Sequence, residues 1–232
     1  MHKYHPIVGI LIIFSKVKLL TNSLSVSYNQ PIFCHNASWK DQAQPLSLKP
    51  NLMSEPNGIF INSRNNIFVV DKKCKRILFM INETSELQIK TTVPTDPRNI
   101  FVTSDGTIYF DKDDKSVVSL TPNTTEAINR MTTKTHCGGL FVDLNGSIYC
   151  SEIKNNKVKK SSKDSPDAPI IVAGDGTPGK NSDQLHSPMG IFVHSNFTLY
   201  VADSKNNRVQ RFLPGNLSGT TITVNQHKQL RY

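Results

Sequence analysis

Little of this chain is charged: Asp, Glu, Lys and Arg supply 19 % of its 232 residues, while 37 % are hydrophobic. That balance excludes a disordered polyampholyte and leaves room for a sizeable core. Glycine, at 12 residues, and proline, at 13, are too scarce for a collagen-like or low-complexity chain. Four cysteines are too few for a disulfide-dense miniature scaffold. No apolar run approaches the ~20 residues that a membrane-spanning helix needs. Sustained helical periodicity is missing as well, so the apolar residues must pack by another rule. Acidic residues are the minority charge, 18 against 27 Lys and Arg, for a net charge of +9.

The apolar run at 7–14 (IVGILIIF) follows His2, Lys3 and His5. Its length and basic flank fit a secretory signal peptide over 1–27, with cleavage after Ser25 or Ser27. Lys16 and Lys18 depart from that pattern, and a buried N-terminal strand is the alternative reading. Asn-X-Ser/Thr acceptors occur at Asn36, Asn82, Asn123, Asn145, Asn196 and Asn216. Six is a mild excess over chance and agrees with secretion. Asn145 and Asn196 are expected in exposed hairpin turns.

The chain repeats itself. Four segments align: PNGIFI-NSRNN-IFVVD from Pro56, PRNIFV-TSDGT-IYFD from Pro97, CGGLFV-DLNGS-IYCSE from Cys137, and PMGIFV-HSNFT-LYVAD from Pro188. The last interval is lengthened by a Gly-rich polar insertion at 174–187. Each unit reads as strand, tight turn, strand, turn, strand. The runs are short, β-branched and aromatic, as in strands buried on both faces. Asp105-Gly106 and Asn145-Gly146 read as primed hairpin turns. Third strands are expected at 76–79, 116–120, 157–159 and 208–212, and fourth strands at 169–173 and 220–224. Repeats of about 40 residues with four short strands predict an all-β propeller, with Ile59, Ile100, Leu140 and Ile191 on innermost strands.

The pattern of residues 188–212, including Asn206-Asn207-Arg208-Val209-Gln210, resembles the NHL repeat. The unit from Cys137 keeps Asn155-Asn156-Lys157-Val158, the first is looser, and the second is one residue short before Asp111. The resemblance covers about residues 30–224 and implies a β-propeller, commonly six-bladed. Only four repeats are present, at about 56–80, 97–120, 137–160 and 188–213. Residues 28–55 are expected to add outer strands or a linker, and 225–232 a disordered tail. An arc of this kind exposes blade faces and invites self-association.

Candidate chemistry is sparse. Asp71, Asp111, Glu152 and Asp203 recur at one position, where a carboxylate accepts hydrogen bonds from nearby turn N–H groups. One per blade, they spread around the arc, so a structural role is expected rather than a catalytic one. Some NHL-like propellers are lyases or hydrolases with a metal held by pore histidines. The matching positions here are Asn57, Arg98, Gly138 and Met189, and of the seven histidines His136 alone falls beside that rim, so no metal or cofactor is expected. A nucleophile elbow and a phosphate loop are both missing.

Cys137 and Cys150 fall near one rim and form a plausible disulfide, although several residues out of direct register, given that bonded Cα atoms lie within ~7 Å. Cys34–Cys74 then follows by elimination. A lysine cluster at Lys154, Lys157, Lys159, Lys160 and Lys163 lacks interleaved aromatics, which disfavours nucleic acid. The leading expectation is a secreted, glycosylated binding or scaffold propeller for a protein or acidic glycan, without a membrane span. A degenerate lyase- or esterase-type enzyme and an intracellular RNA-binding domain are the alternatives.

Overall fold

The computed structural model describes residues 53–81, 88–93, 95–112, 116–163 and 165–222. Signal peptide, Cys34, Asn36, Asn82 and the 225–232 tail lie outside them, as does all of 28–55 except Met53, Ser54 and Glu55.

Four antiparallel sheets of four strands follow one another along the chain, each in sequence order from its first strand outward. Blade 1 comprises β1 (Pro56–Ile61), β2 (Ile67–Asp71), β3 (Arg76–Met80) and β4 (Gln88–Thr92). Blade 2 comprises β5 (Ile100–Val102), β6 (Ile108–Lys112), β7 (Ser116–Leu120) and β8 (Ile128–Thr132). Blade 3 comprises β9 (Cys137–Val142), β10 (Ile148–Glu152), β11 (Lys157–Ser162) and β12 (Ser165–Ala173). Blade 4 comprises β13 (Pro188–Val193), β14 (Leu199–Asp203), β15 (Arg208–Phe212) and β16 (Thr220–Ile222). The first strands of successive blades adjoin, so Ile59, Ile100, Leu140 and Ile191 sit on the inner strands. This is an incomplete β-propeller.

Each first hairpin closes in the same way. In blade 3 the Asp143 N–H bonds the Ser147 carbonyl, and the Gly146 N–H bonds the Asp143 carbonyl. Asn62–Asn66, Thr103–Thr107 and His194–Thr198 repeat the outer bond. The third loop residue has positive φ each time: Asn65 at 58°, Gly106 at 84°, Gly146 at 78° and Phe197 at 64°. These are three-residue loops ending in a left-handed residue. The primed turns expected at Asp105-Gly106 and Asn145-Gly146 are therefore corrected, because only the glycine of each pair is left-handed. Side chains fix the alternative: Asp143 Oδ1 accepts from the Asn145 and Ser147 N–H groups, each at 2.9 Å.

The blades interlock through aromatic rings and small residues. Phe60, Phe101, Phe141 and Phe192 occupy one repeat position and form a ladder, with centroids 4.8, 5.0 and 5.5 Å apart. Such tilted and edge contacts add to the area they bury. Two residues earlier the backbones nearly touch. A Cβ on Gly58 would stand 2.6 Å from the Arg98 carbonyl oxygen, and one on Gly139 2.8 Å from that of Met189. Glycine is required there by close approach. The equivalent Gly190 of blade 4 has nothing within 4 Å.

The two end blades differ from the middle pair. Inner strands β5 and β9 are almost wholly buried. In β1 and β13, Ile59 is 47 % exposed and Met189 42 %. Beyond blade 4, the face bearing Phe192, Tyr200 and Val209 is only half-buried. On the face of blade 1 turned away from blade 2, Ile67, Val69, Leu78 and Met80 form a separate buried cluster with Met53 and Ile61.

Candidate functional site

The four recurring carboxylates are all buried. Blade 4 shows the arrangement most fully. Asp203 Oδ1 accepts the His186 N–H at 2.6 Å, from the segment leading into the same blade. Its Oδ2 accepts from Asn206 Nδ2 at 2.8 Å and Arg208 Nε at 2.7 Å. Between them Ser204–Asn206 makes a single 3₁₀ turn ending at left-handed Asn207, φ 52°. The Asn-Asn-Arg run thus has a mechanism: one Asn bonds the carboxylate, the next turns the chain, and Arg neutralises the charge.

The other blades vary this frame. Asp71 accepts from the Ser54 and Glu55 N–H groups and from Arg76 Nε and Nη2. Glu152, one carbon longer, reaches the Lys134 N–H at 2.7 Å, Asn155 Nδ2 at 3.0 Å and Lys159 Nζ at 3.2 Å. Burial opposes ionisation in both, but these bonds win and hold each carboxyl below its usual range. Asp111 accepts from the Arg98 and Asn99 N–H groups and from Asn99 Nδ2. Val117 lies opposite Asp111, where blades 1 and 4 set an arginine opposite the acid. With no cation opposite it among the described residues, burial dominates and raises the Asp111 carboxyl. Most of the backbone N–H donors come from the segment leading into the same blade, 12 to 18 residues earlier, rather than from the turn that follows.

Cys137 and Cys150 are disulfide-bonded with Cα atoms 5.2 Å apart. A bulge brings them together: Cys150 pairs with Leu140, yet Glu152 pairs with Cys137, so three steps on β9 match two on β10. Cys74 is a free, exposed thiol. Local desolvation, then hydrogen bonding to Asp71, push it upward, away from reactivity.

The lysine cluster divides. Lys159 pairs with Glu152, while Lys160 lies 3.6 Å from Asp143 and over the rings of Tyr149 and Phe197. Tyr149 donates to Asp143 Oδ2 at 3.0 Å, and its burial beside that carboxylate drives the phenol far above its usual range. Lys160 is thus a bridge between blades 3 and 4, whereas Lys154 and Lys163 are exposed. Asn123, Asn145, Asn196 and Asn216 are all exposed. His194 sits in its hairpin loop bonded to Asn196, and the described residues hold no group of three or more potential metal ligands.

A cavity of about 440 Å³ opens between blades 2 and 3 on the rim of the first hairpin turns. Thr103, Asp105, Tyr109, Arg130, Asn145 and Lys163 are among its walls. Sequence reading passed over it because Arg130 lies on the fourth strand of blade 2, which carries no repeat signal. Lys163 gave the one hint, as a member of the lysine cluster.

No family model matches the chain, and no curated protein does. Solved structures do. A streptogramin B lyase is similar over 75 % of this chain and 56 % of its own, at 18 % identity and a TM-score of 0.59. A catalytically inactive virginiamycin B lyase from Staphylococcus aureus with quinupristin is similar over 78 % and 59 %, at 17 % identity and TM-score 0.59. A nidogen/laminin complex gives 74 % and 64 %, at 16 % identity and TM-score 0.59. The chain spans less than two thirds of each. At these identities the likeness is one of fold, that of a β-propeller.

Proposed function

We propose that the chain is a secreted NHL-type propeller segment that recognises an extracellular protein or acidic glycan, and that it is not an enzyme. One observation carries this reading: each recurring carboxylate is buried and occupied by donors of its own blade. Groups tied up in this way hold blades together and do not converge on a reacting atom. The Cys137–Cys150 bond supports an oxidising compartment. So do the exposed acceptors Asn123, Asn145, Asn196 and Asn216, which we assign as glycosylation sites together with Asn36 and Asn82. The ion-paired Lys159 and Lys160 weigh against a basic nucleic-acid face. The half-buried face beyond blade 4 favours self-association.

The neighbours suggest the contest. Full chain purified from culture medium is incubated with quinupristin, with and without divalent cations, and separately titrated onto an immobilised laminin network and a panel of acidic glycans. Saturable binding to a protein or glycan is expected, with quinupristin unchanged in chromatographic retention and fragmentation pattern. Ring opening of quinupristin at a catalytic rate would overturn the reading.

A further inference from the structure

The rim cavity has an unusual feature in Arg130. Its Nε donates to Ser119 Oγ at 2.7 Å, and Ser119 is completely buried. The guanidinium is half-buried and fixed from behind, yet among the described residues it has no carboxylate partner. A planar fork held in place with its outer N–H groups open is a ready receptor for a carboxylate or sulfate. Lys163 supplies a second positive charge, its stem lying 3.7 Å from where a Cβ on Gly146 would stand.

The remaining wall is hydroxylated rather than cationic. Asp105 accepts from Thr103 Oγ1, from the Thr107 N–H and from Thr107 Oγ1. Those bonds outweigh local desolvation and hold its carboxyl below the usual range. Its Oδ2 has one protein donor and so retains capacity for another. A fixed negative charge opposes a polyphosphate but suits a neutral hydroxyl. Tyr109 adds an aromatic wall, and the space far exceeds a single anion.

We propose that this cavity is a subsite for an acidic saccharide, with its sulfate or carboxylate on Arg130 and Lys163, its hydroxyls on Asp105 and its ring against Tyr109. The proposal rests on the recognition reading above and names a ligand class for it.

The test uses the full chain and calorimetric titration with a sulfated chondroitin disaccharide, neutral N-acetyllactosamine, inorganic sulfate and a glutamate-rich peptide. The sulfated disaccharide is expected to bind roughly tenfold or more tightly than any of the other three, since one charge-assisted bond is worth about that factor. Arg130→Gln should lose that binding about tenfold, and Lys163→Gln should weaken it by a few fold. Asp105→Asn is the second variant, and should weaken the disaccharide, which loses a hydroxyl acceptor, while sulfate, freed of a repelling charge, binds as well or more tightly. An equal response to inorganic sulfate, tighter binding of the peptide, or unchanged affinity in folded Arg130→Gln would overturn the proposal. If wild type and Arg130→Gln bind the laminin network or glycan panel alike, this subsite alone fails. If wild type binds nothing there, the recognition reading itself fails.

Discussion

Arg208 holds two things at once: the Asp203 carboxylate, through Nε at 2.7 Å, and the carbonyls of Lys180, Asn181 and Gln184, through Nη1 and Nη2 at 2.6, 3.0 and 2.8 Å. One side chain neutralises the buried acid of blade 4 and clamps the long insertion onto it. Arg208→Lys keeps a charge but has no fork for three carbonyls. Limited proteolysis should therefore cut the variant faster within residues 176–184 than wild type, at similar far-UV circular dichroism. Equal cleavage rates would mean that the insertion is held by other contacts.

The Cys137–Cys150 bridge closes a loop of 13 residues inside blade 3. A loop of this size is worth about 3 kcal/mol in the chain-entropy account. Cys137→Ser with Cys150→Ser should lower equilibrium stability by about that amount. Urea unfolding of the double variant beside wild type measures it, and a change below about 0.5 kcal/mol would remove the bridge from the stabilising features.

Much of this fold was legible beforehand because the repeat register is written in apolar residues of alternating direction. The inner-strand positions Ile59, Ile100, Leu140 and Ile191 follow from that alone. The outer strands β4 and β8 were not legible: Gln88–Thr92 and Ile128–Thr132 are largely exposed, so no apolar pattern marks them. The turn type escaped for a different reason. Asp105-Gly106 and Asn145-Gly146 fit two hairpin geometries, and the choice is made by side-chain bonds from Asp105 and Asp143. The acids were visible as a set. Most of their backbone donors were not, since those lie in the segment preceding each blade. The rim cavity arises from Arg130 and Lys163 on different blades, which no local pattern joins.

Gly190 and Gly139 separate occupied from open blade faces. Gly139→Ala would drive a Cβ to 2.8 Å from the Met189 carbonyl oxygen, and backbone cannot yield cheaply there. It should cost about 1–3 kcal/mol, as overpacking does. Gly190→Ala meets open space and should be neutral in dilute solution. If the uncovered face beyond blade 4 associates with a second copy, sedimentation equilibrium should show Gly190→Ala weakening that association. An unchanged, stable monomer for both proteins would show that the face needs no cover.

Acid should act on the carboxylates in opposite senses. Asp71 and Glu152 have folded values below 3.8 and 4.5, so their stabilisation is present above those values and is lost as pH falls through the lower folded ones. Asp111 has a folded value above 3.8, so its charged form costs stability at neutral pH. That cost is relieved as pH falls from the folded value to 3.8. Asp111→Asn should thus be at least as stable as wild type at pH 7, with the difference shrinking through that window. Thermal melts at descending pH measure this, and a constant difference would contradict the assignment.

The central claim is that the recurring acids build the blades and perform no chemistry. Asp203→Asn leaves Arg208 with a neutral partner in a buried site, and should cost about 3–5 kcal/mol in equilibrium unfolding. Asp111→Asn, which removes a carboxylate that burial already disfavours, should cost nothing at pH 7. The decisive measurement is that pair of unfolding curves beside a binding titration with the best ligand of the acidic-glycan panel. The account predicts the large stability gap with unchanged affinity for the fraction that remains folded. An Asp203→Asn variant as stable as wild type but devoid of binding or turnover would contradict it.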